Sequence, residues 1–217
     1  MVDAFSNSGD PMHLQLRTDW HLDTGSYVLC CRALDEHHLA CGLQSGECLI
    51  VDTKACKIAG SLNENWNCEQ PFFLSKSPVT SIRICRSVTN QTNPTTINNN
   101  NNRLIAVAHA SGIVKIFDST PAQINGKLKL KFDDKRQTLC MDSCDDSRRI
   151  CTGGSGGSLN IFDLQAQKFC GKLGPDGEMK ARLFDVKFVP SSTGNIIFSG
   201  GWDDVVQVTL IIPKILS

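Results

Sequence analysis

The sequence predicts an all-β fold, and three observations lead to that prediction. Segments that alternate apolar and polar residues recur along the chain, as in 79–84 and 184–189, and this period of two is typical of half-buried strands. Turns rich in glycine and serine separate such segments, as in β-hairpins. No long segment has the 3.6-residue period of an amphipathic helix. The length of 217 residues is enough for a sizeable buried core.

Composition and charge exclude several classes of protein. The chain balances 22 Lys and Arg against 22 Asp and Glu, and 41% of its residues are hydrophobic. This is too apolar for wholesale disorder, and a neutral charge favours neither nucleic acid nor an anionic membrane as partner. The start lacks the basic and apolar regions of a secretory signal, and no run of about 18 apolar residues follows. We therefore expect a protein that is cytoplasmic, nuclear or both, and not secreted.

The eleven cysteines do not indicate a metal site or a disulfide framework. The number is odd, no Cys-x-x-Cys occurs, and the spacing of Cys140 and Cys144 has no second ligand pair to match it. Free cysteines commonly act as small buried hydrophobic residues, and Cys41 and Cys151 lie in apolar runs typical of core strands. We expect no metal and no cofactor.

Four segments of the chain resemble one another: 39–52, 105–118, 150–163 and 197–210. Each contains a short apolar run, a turn of small residues and a second alternating run, and the first three end in aspartate. Asp118 and Asp163 are 45 residues apart, whereas Asp52 and Asp118 are 66 apart because a polar, asparagine-rich insert spans 87–102. A period of about 40–45 residues with four strands per unit is typical of a propeller blade.

The repeated pattern resembles the WD40 repeat. Phe117-Asp118 and Phe162-Asp163 stand where that family usually has Trp-Asp. The Gly-His dipeptide of the family is missing, and the fourth unit has Thr209-Leu210 in place of an aromatic-Asp pair. The resemblance therefore implies divergent repeats in which the usual hydrogen-bond network of His, Ser or Thr, and Trp cannot form completely.

The resemblance implies four WD40-like blades in an incomplete or open arc, since the family usually closes with seven. We place them at 25–62, 78–132, 137–173 and 182–210, after an extension at 1–24 and before a tail at 211–217. Two hypotheses account for the short arc. The favoured one is a shortened product of a longer propeller protein, and the other is closure by pairing with a second chain.

We have two further expectations about the ends of such an arc. Open blade edges invite self-association. The alternating segment 12–17 is a candidate latch that would add an outer strand to the fourth blade, where no such strand is evident in the sequence.

No motif in the sequence indicates catalysis. The glycine-rich segment 152–158 lacks the Lys-Ser/Thr of a phosphate-binding loop and joins two predicted strands, so we interpret it as a hairpin turn. Asp142, Asp145 and Asp146 are not followed by the rest of a calcium loop, and we expect a solvated turn. No Gly-x-Ser-x-Gly occurs. We predict no catalytic residues and no enzymatic activity.

Binding remains as the predicted function. In the family that the repeats resemble, partners usually dock on the face formed by the turns between second and third strands and by the connections between blades. Carried over to this sequence, that face comprises Gln44, Trp66, Phe72, Phe73, His109, Lys135, Arg136, Ser155, Arg182, Trp202 and Asp203. Trp202 is the foremost candidate because aromatic and arginine residues dominate interface hot spots. Its alternative role is packing against a neighbouring blade.

The leading hypothesis is a non-catalytic protein-interaction module or scaffold whose partners are proteins or peptides. One alternative is a truncated isoform of a longer WD40 protein, with a regulatory role or no independent one. Another is a substrate-recognition adaptor of a ubiquitin ligase or a chromatin complex. A propeller-based enzyme is the competing class, and it would need a channel cluster of carboxylates or metal ligands that the sequence does not show.

Overall fold

The computed structural model describes residues 19–62, 77–86, 103–120, 123–144, 146, 148–173, 182–190, 192 and 194–212. These residues form four antiparallel sheets and no helix, so the predicted all-β class is confirmed. In this described part of the chain there is consequently no helix that could cross a membrane.

Each sheet is a meander in which consecutive strands are neighbours. The first contains β1 (Val28–Ala33), β2 (His38–Leu43), β3 (Cys48–Asp52) and β4 (Lys57–Ser61). The second contains β5 (Val79–Arg86), β6 (Arg103–His109), β7 (Ile113–Thr120) and β8 (Gln123–Asp133). The third contains β9 (Thr138–Ser143), β10 (Arg149–Gly154), β11 (Leu159–Asp163) and β12 (Lys168–Leu173). The fourth has β13 (Leu183–Phe188), β14 (Ile196–Gly201) and β15 (Val206–Leu210).

The four sheets coincide with the four units that the sequence pattern predicts. The glycine-rich segment forms the turn between β10 and β11, which pair antiparallel from Gly153 opposite Leu159 onward. Strand β8 is the longest of the described strands, because its pairing with β7 extends to Thr120 opposite Gln123. The candidate latch at 12–17 and the insert at 87–102 lie outside the described residues.

The sheets stack face to face in chain order. The first strand of each sheet packs beside the first strand of the next, so β1 contacts β5, β5 contacts β9, and β9 contacts β13. Three apolar clusters fill the spaces between neighbouring sheets. Phe117 and Ile82 lie between the first and second sheets, Phe162 and Met141 between the second and third, and Val186 between the third and fourth.

The far face of the fourth sheet is exposed. Alternation along its strands buries Ile197 against the third sheet and turns Phe198 away from it. Phe198 lies opposite Val208 on β15, and Ile196 lies opposite Leu210. Val208 and Leu210 are each about 60% exposed. The sheet at this end of the stack thus presents an apolar surface to solvent.

Candidate protein-docking rim

One backbone hydrogen bond recurs in all four sheets and defines a common edge. The first turn residue after each second strand donates its amide to the carbonyl just before the first strand of the same sheet. The pairs are Gln44 to Tyr27 at 2.9 Å, Ala110 to Pro78 at 2.8 Å, Ser155 to Gln137 at 3.0 Å and Trp202 to Arg182 at 3.1 Å. We call the edge formed by turns 44–47, 110–112, 155–158 and 202–205 the rim.

Glycine is required where the rim is tightest. A Cβ on Gly154 would lie 1.8 Å from the carbonyl oxygen of Gln137, and one on Gly112 would lie 2.3 Å from that of Arg136. Gly112 also has a φ of 92°, which side-chain-bearing residues rarely adopt. The small-residue turns visible in the sequence therefore reflect the close approach of two backbone segments.

The connection between β8 and β9 joins the rims of the second and third sheets. The Asp134 amide donates to the carbonyl of Gly112 at 2.8 Å, and the Arg136 guanidinium donates to the carbonyl of Gly156 at 3.3 Å. Lys135 projects beside them, its ammonium 2.5 Å from the carboxylate of Asp133. The structure thus places Arg136 beside the turn that contains Ser155, with Lys135 next to it in the chain.

Asp134 is the structural centre of this part of the rim, although it was not among the predicted site residues. Its carboxylate accepts hydrogen bonds from Thr138 Oγ1 at 3.0 Å, from Thr152 Oγ1 at 2.6 Å and from Asn160 Nδ2. Burial raises the pKa of Asp134, and the bonds from Thr152 and Thr138 partly oppose that rise. The network ties the connection to β9, β10 and β11.

A second rim cluster lies on the fourth sheet. The Arg182 guanidinium carbon is 5.5 Å from the Trp202 ring centroid, and the Phe184 ring is 5.3 Å from Trp202. Trp202 remains 71% exposed. Both of these contacts are within its own sheet. An exposed indole with a cation beside it is the arrangement that interface hot spots favour.

The other predicted docking residues differ in exposure, and some lie outside the described residues. Gln44 and Asp203 are exposed in rim turns. His109 differs from the prediction because it is only 4% exposed, and its Nδ1 lies 3.0 Å from the carbonyl oxygen of Ser77. It therefore supports the turn from inside and cannot serve as a surface contact. Trp66, Phe72 and Phe73 lie outside the described residues.

The prediction of a solvated turn that contains Asp142, Asp145 and Asp146 is partly wrong. Asp142 lies on β9 and not in the turn, with its side chain only 14% exposed. Its carboxylate pairs with Arg83 on β5 at 2.9 Å and accepts the amide of Phe188 on β13 at 2.9 Å. Asp146 is exposed in the turn, and Asp145 is outside the described part. Among the described residues, no group of three His, Cys, Asp or Glu is arranged to hold a metal ion.

Comparison with known proteins adds no family assignment. No protein-family model matches the chain, and no curated protein matches it.

Proposed function

We propose that this chain is a non-catalytic protein-interaction module of the WD40-repeat type, and that it binds proteins or peptides on the rim. The observation that carries the proposal is the repeated rim hydrogen bond, which places the turn side chains of all four sheets along one edge. An edge of this kind is where such repeats offer binding residues, and loops held by a rigid scaffold commonly carry function.

The side chains on the rim support this assignment. Trp202 provides exposed apolar area that can be desolvated. Arg182 provides a cationic donor beside the Trp202 ring, and Arg136 provides another farther along the rim. Asp203 and Lys135 add charges at the margin, where they favour orientation of a partner more than affinity. Aromatic and arginine anchors surrounded by polar residues match the usual anatomy of a protein interface.

The proposal is tested by capture of proteins from a cell extract on the immobilised full chain. Trp202→Ala and Arg136→Ala are compared with the wild type by quantitative mass spectrometry. The matched control is Phe169→Ala, which also removes a half-exposed aromatic ring with one aromatic neighbour but lies on the outer strand β12. We expect both rim substitutions to reduce the same captured proteins about tenfold or more, as for hot-spot residues.

Each outcome of this experiment is decisive once folding is verified by circular dichroism. Loss of the same proteins in both rim variants and their retention by Phe169→Ala support the proposal. Retention by the rim variants, or equal loss in the control, contradicts it.

A further inference from the structure

The first sheet contains two cysteines that face each other across neighbouring strands. Cys31 on β1 lies directly opposite Cys41 on β2. Among the strand pairs that the structure describes, this is the only register position at which two cysteines meet. Both are free thiols in the structure.

The pair occupies the type of ladder position that suits a cross-strand disulfide. The Leu34 amide donates to the carbonyl of His38 at 2.8 Å, so these two residues form a hydrogen-bonded pair. Hydrogen-bonded and non-hydrogen-bonded pairs alternate along an antiparallel ladder, which makes Cys31 and Cys41 a non-hydrogen-bonded pair. Their Cα atoms are then about 4.5 Å apart with side chains close together, within the range of about 4.4–6.8 Å that disulfides span.

Cys41 is buried, and Cys31 is its cross-strand neighbour. Burial raises the pKa of Cys41 to about 12, and the neighbouring Cys31 adds to that rise. Cys30 points to the other face, where its Sγ lies 3.8 Å from the carbonyl oxygen of Val79. The neighbouring residue in sequence is thus directed away from Cys41.

The two thiols differ in exposure, and this difference sets which of them meets an oxidant first. Cys31 is exposed, whereas Cys41 is only 5% exposed. A small oxidant in solution therefore reaches Cys31 first, and Cys41 is positioned to react with whatever forms there. Cys56 and Cys170 are also exposed but face no cysteine across a described strand pair.

We propose that Cys31 and Cys41 form a reversible disulfide in the presence of a low-molecular-weight disulfide such as oxidised glutathione. The Cys31 thiolate attacks one sulfur of the oxidant, forms a mixed disulfide and releases one small thiol. The Cys41 thiolate then attacks Sγ of Cys31, forms the protein disulfide and releases the second small thiol. Two electrons pass to the oxidant, and the two protons leave on the released thiols.

A disulfide between Cys31 and Cys41 would stabilise the hairpin through which the first sheet contacts the second. It closes the hairpin 31–41, which contains Asp35, and Asp35 pairs with Arg103 on β6 at 2.8 Å. Arg103 also donates to the carbonyl of Leu34. Oxidation therefore covalently fixes β1 to β2 at the strand that packs on β5. A fixed hairpin should open less often, so its amides should exchange more slowly.

The test is incubation of the full-length chain with oxidised glutathione at pH 8, followed by alkylation of free thiols and mass spectrometry without reduction. We expect a linked pair of peptides that contain Cys31 and Cys41, lighter than their sum by two hydrogen atoms. Cys31→Ser should abolish the link, and Cys30→Ser, its neighbour on the other face, should retain it. Hydrogen exchange should slow several-fold in residues 28–43 of the oxidised wild type.

The wild-type experiment alone can overturn the proposal, because it needs no variant to fold. A stable mixed disulfide at Cys31 with Cys41 still reduced contradicts it, and so does a link from Cys31 to Cys30. A disulfide from Cys41 to another cysteine that forms equally well in wild type and in Cys31→Ser would show that Cys31 is not the partner of Cys41. Return of both free thiols after dithiothreitol supports the reversibility of the bond.

Discussion

The Arg83 guanidinium on β5 donates to the carboxylate of Asp142 on β9 at 2.9 Å, and thereby joins the second sheet to the third. The other carboxylate oxygen accepts the Phe188 amide of the fourth sheet at 2.9 Å. One side chain therefore connects the first strands of three sheets. The two partners of the ion pair have side chains only 14% and 16% exposed, so solvent screens their attraction less than that of a surface pair.

Substitution Asp142→Asn should destabilise the stack. It leaves the Arg83 charge without a carboxylate in a half-buried site, and we expect the free energy of unfolding to fall by about 2 kcal/mol, as for a charged hydrogen bond. Urea unfolding followed by circular dichroism measures the change. Asp185→Asn is the control, because Asp185 is mostly exposed and its nearest cation is 3.7 Å away. Equal stability of Asp142→Asn and wild type would contradict the bridging role.

Substitution Asp134→Ala should cost more than Asp134→Asn. Alanine removes the acceptor of Thr138, Thr152 and Asn160, all of which are buried, and we expect a loss of about 3 kcal/mol because unsatisfied buried donors are costly. Asparagine retains an acceptor oxygen and removes a charge whose burial is unfavourable. Thermal unfolding of both variants gives the comparison, and a larger loss for asparagine would refute the interpretation of the network.

Asp35 should make the stability depend on pH below 4. Burial tends to raise its pKa, but hydrogen bonds from His37, Arg103 and His38 outweigh it and lower the pKa to about 2. The unfolded state, with a pKa near 3.8, then binds more protons between pH 3.8 and 2, and stability falls as the pH falls. The difference in Tm between wild type and Asp35→Asn should be present at pH 5 and shrink at pH 2.5. An unchanged difference would show that Asp35 is not held ionised.

Self-association through the fourth sheet stays a prediction, and Val208→Lys tests it. Val208 is 61% exposed on the apolar far face, and a charge there should disfavour burial against a second copy. We expect the wild type to show a mass in light scattering that rises with concentration, and the variant to remain monomeric. Lys168→Glu on β12 is the control and should behave as the wild type. A wild type that is monomeric at every concentration would rule out this association.

The strands could be predicted from the sequence because each unit contains its own local signals. Apolar runs and the small-residue turn between them indicate β10 and β11, and the aspartates at 118 and 163 fall at or near the ends of β7 and β11. The start of β8 is harder to predict, because Asn125 and Gly126 are poor strand formers. The strand continues across them through the pairing of Gln123 with Thr120 on β7.

The site was less predictable, since its contacts join residues distant in the chain. In the sequence, Asp134 is one of several charged residues between β8 and β9. Only the fold brings Asn160 within hydrogen-bond distance of it. A signal did exist at Thr152, whose polar side chain interrupts an apolar run on a core strand. His109 appeared to be a turn residue because the sequence does not reveal which way a side chain points at the end of a strand.

The repeated rim bond also bears on how such a surface can be altered. It joins amide and carbonyl groups, which every residue except proline supplies in full, so no particular side chain at 44, 110, 155 or 202 is needed to keep the turns in place. Recognition and architecture are thereby separated at these four positions. An engineer could diversify them together as a library, with the backbone acting as a fixed frame for new specificities.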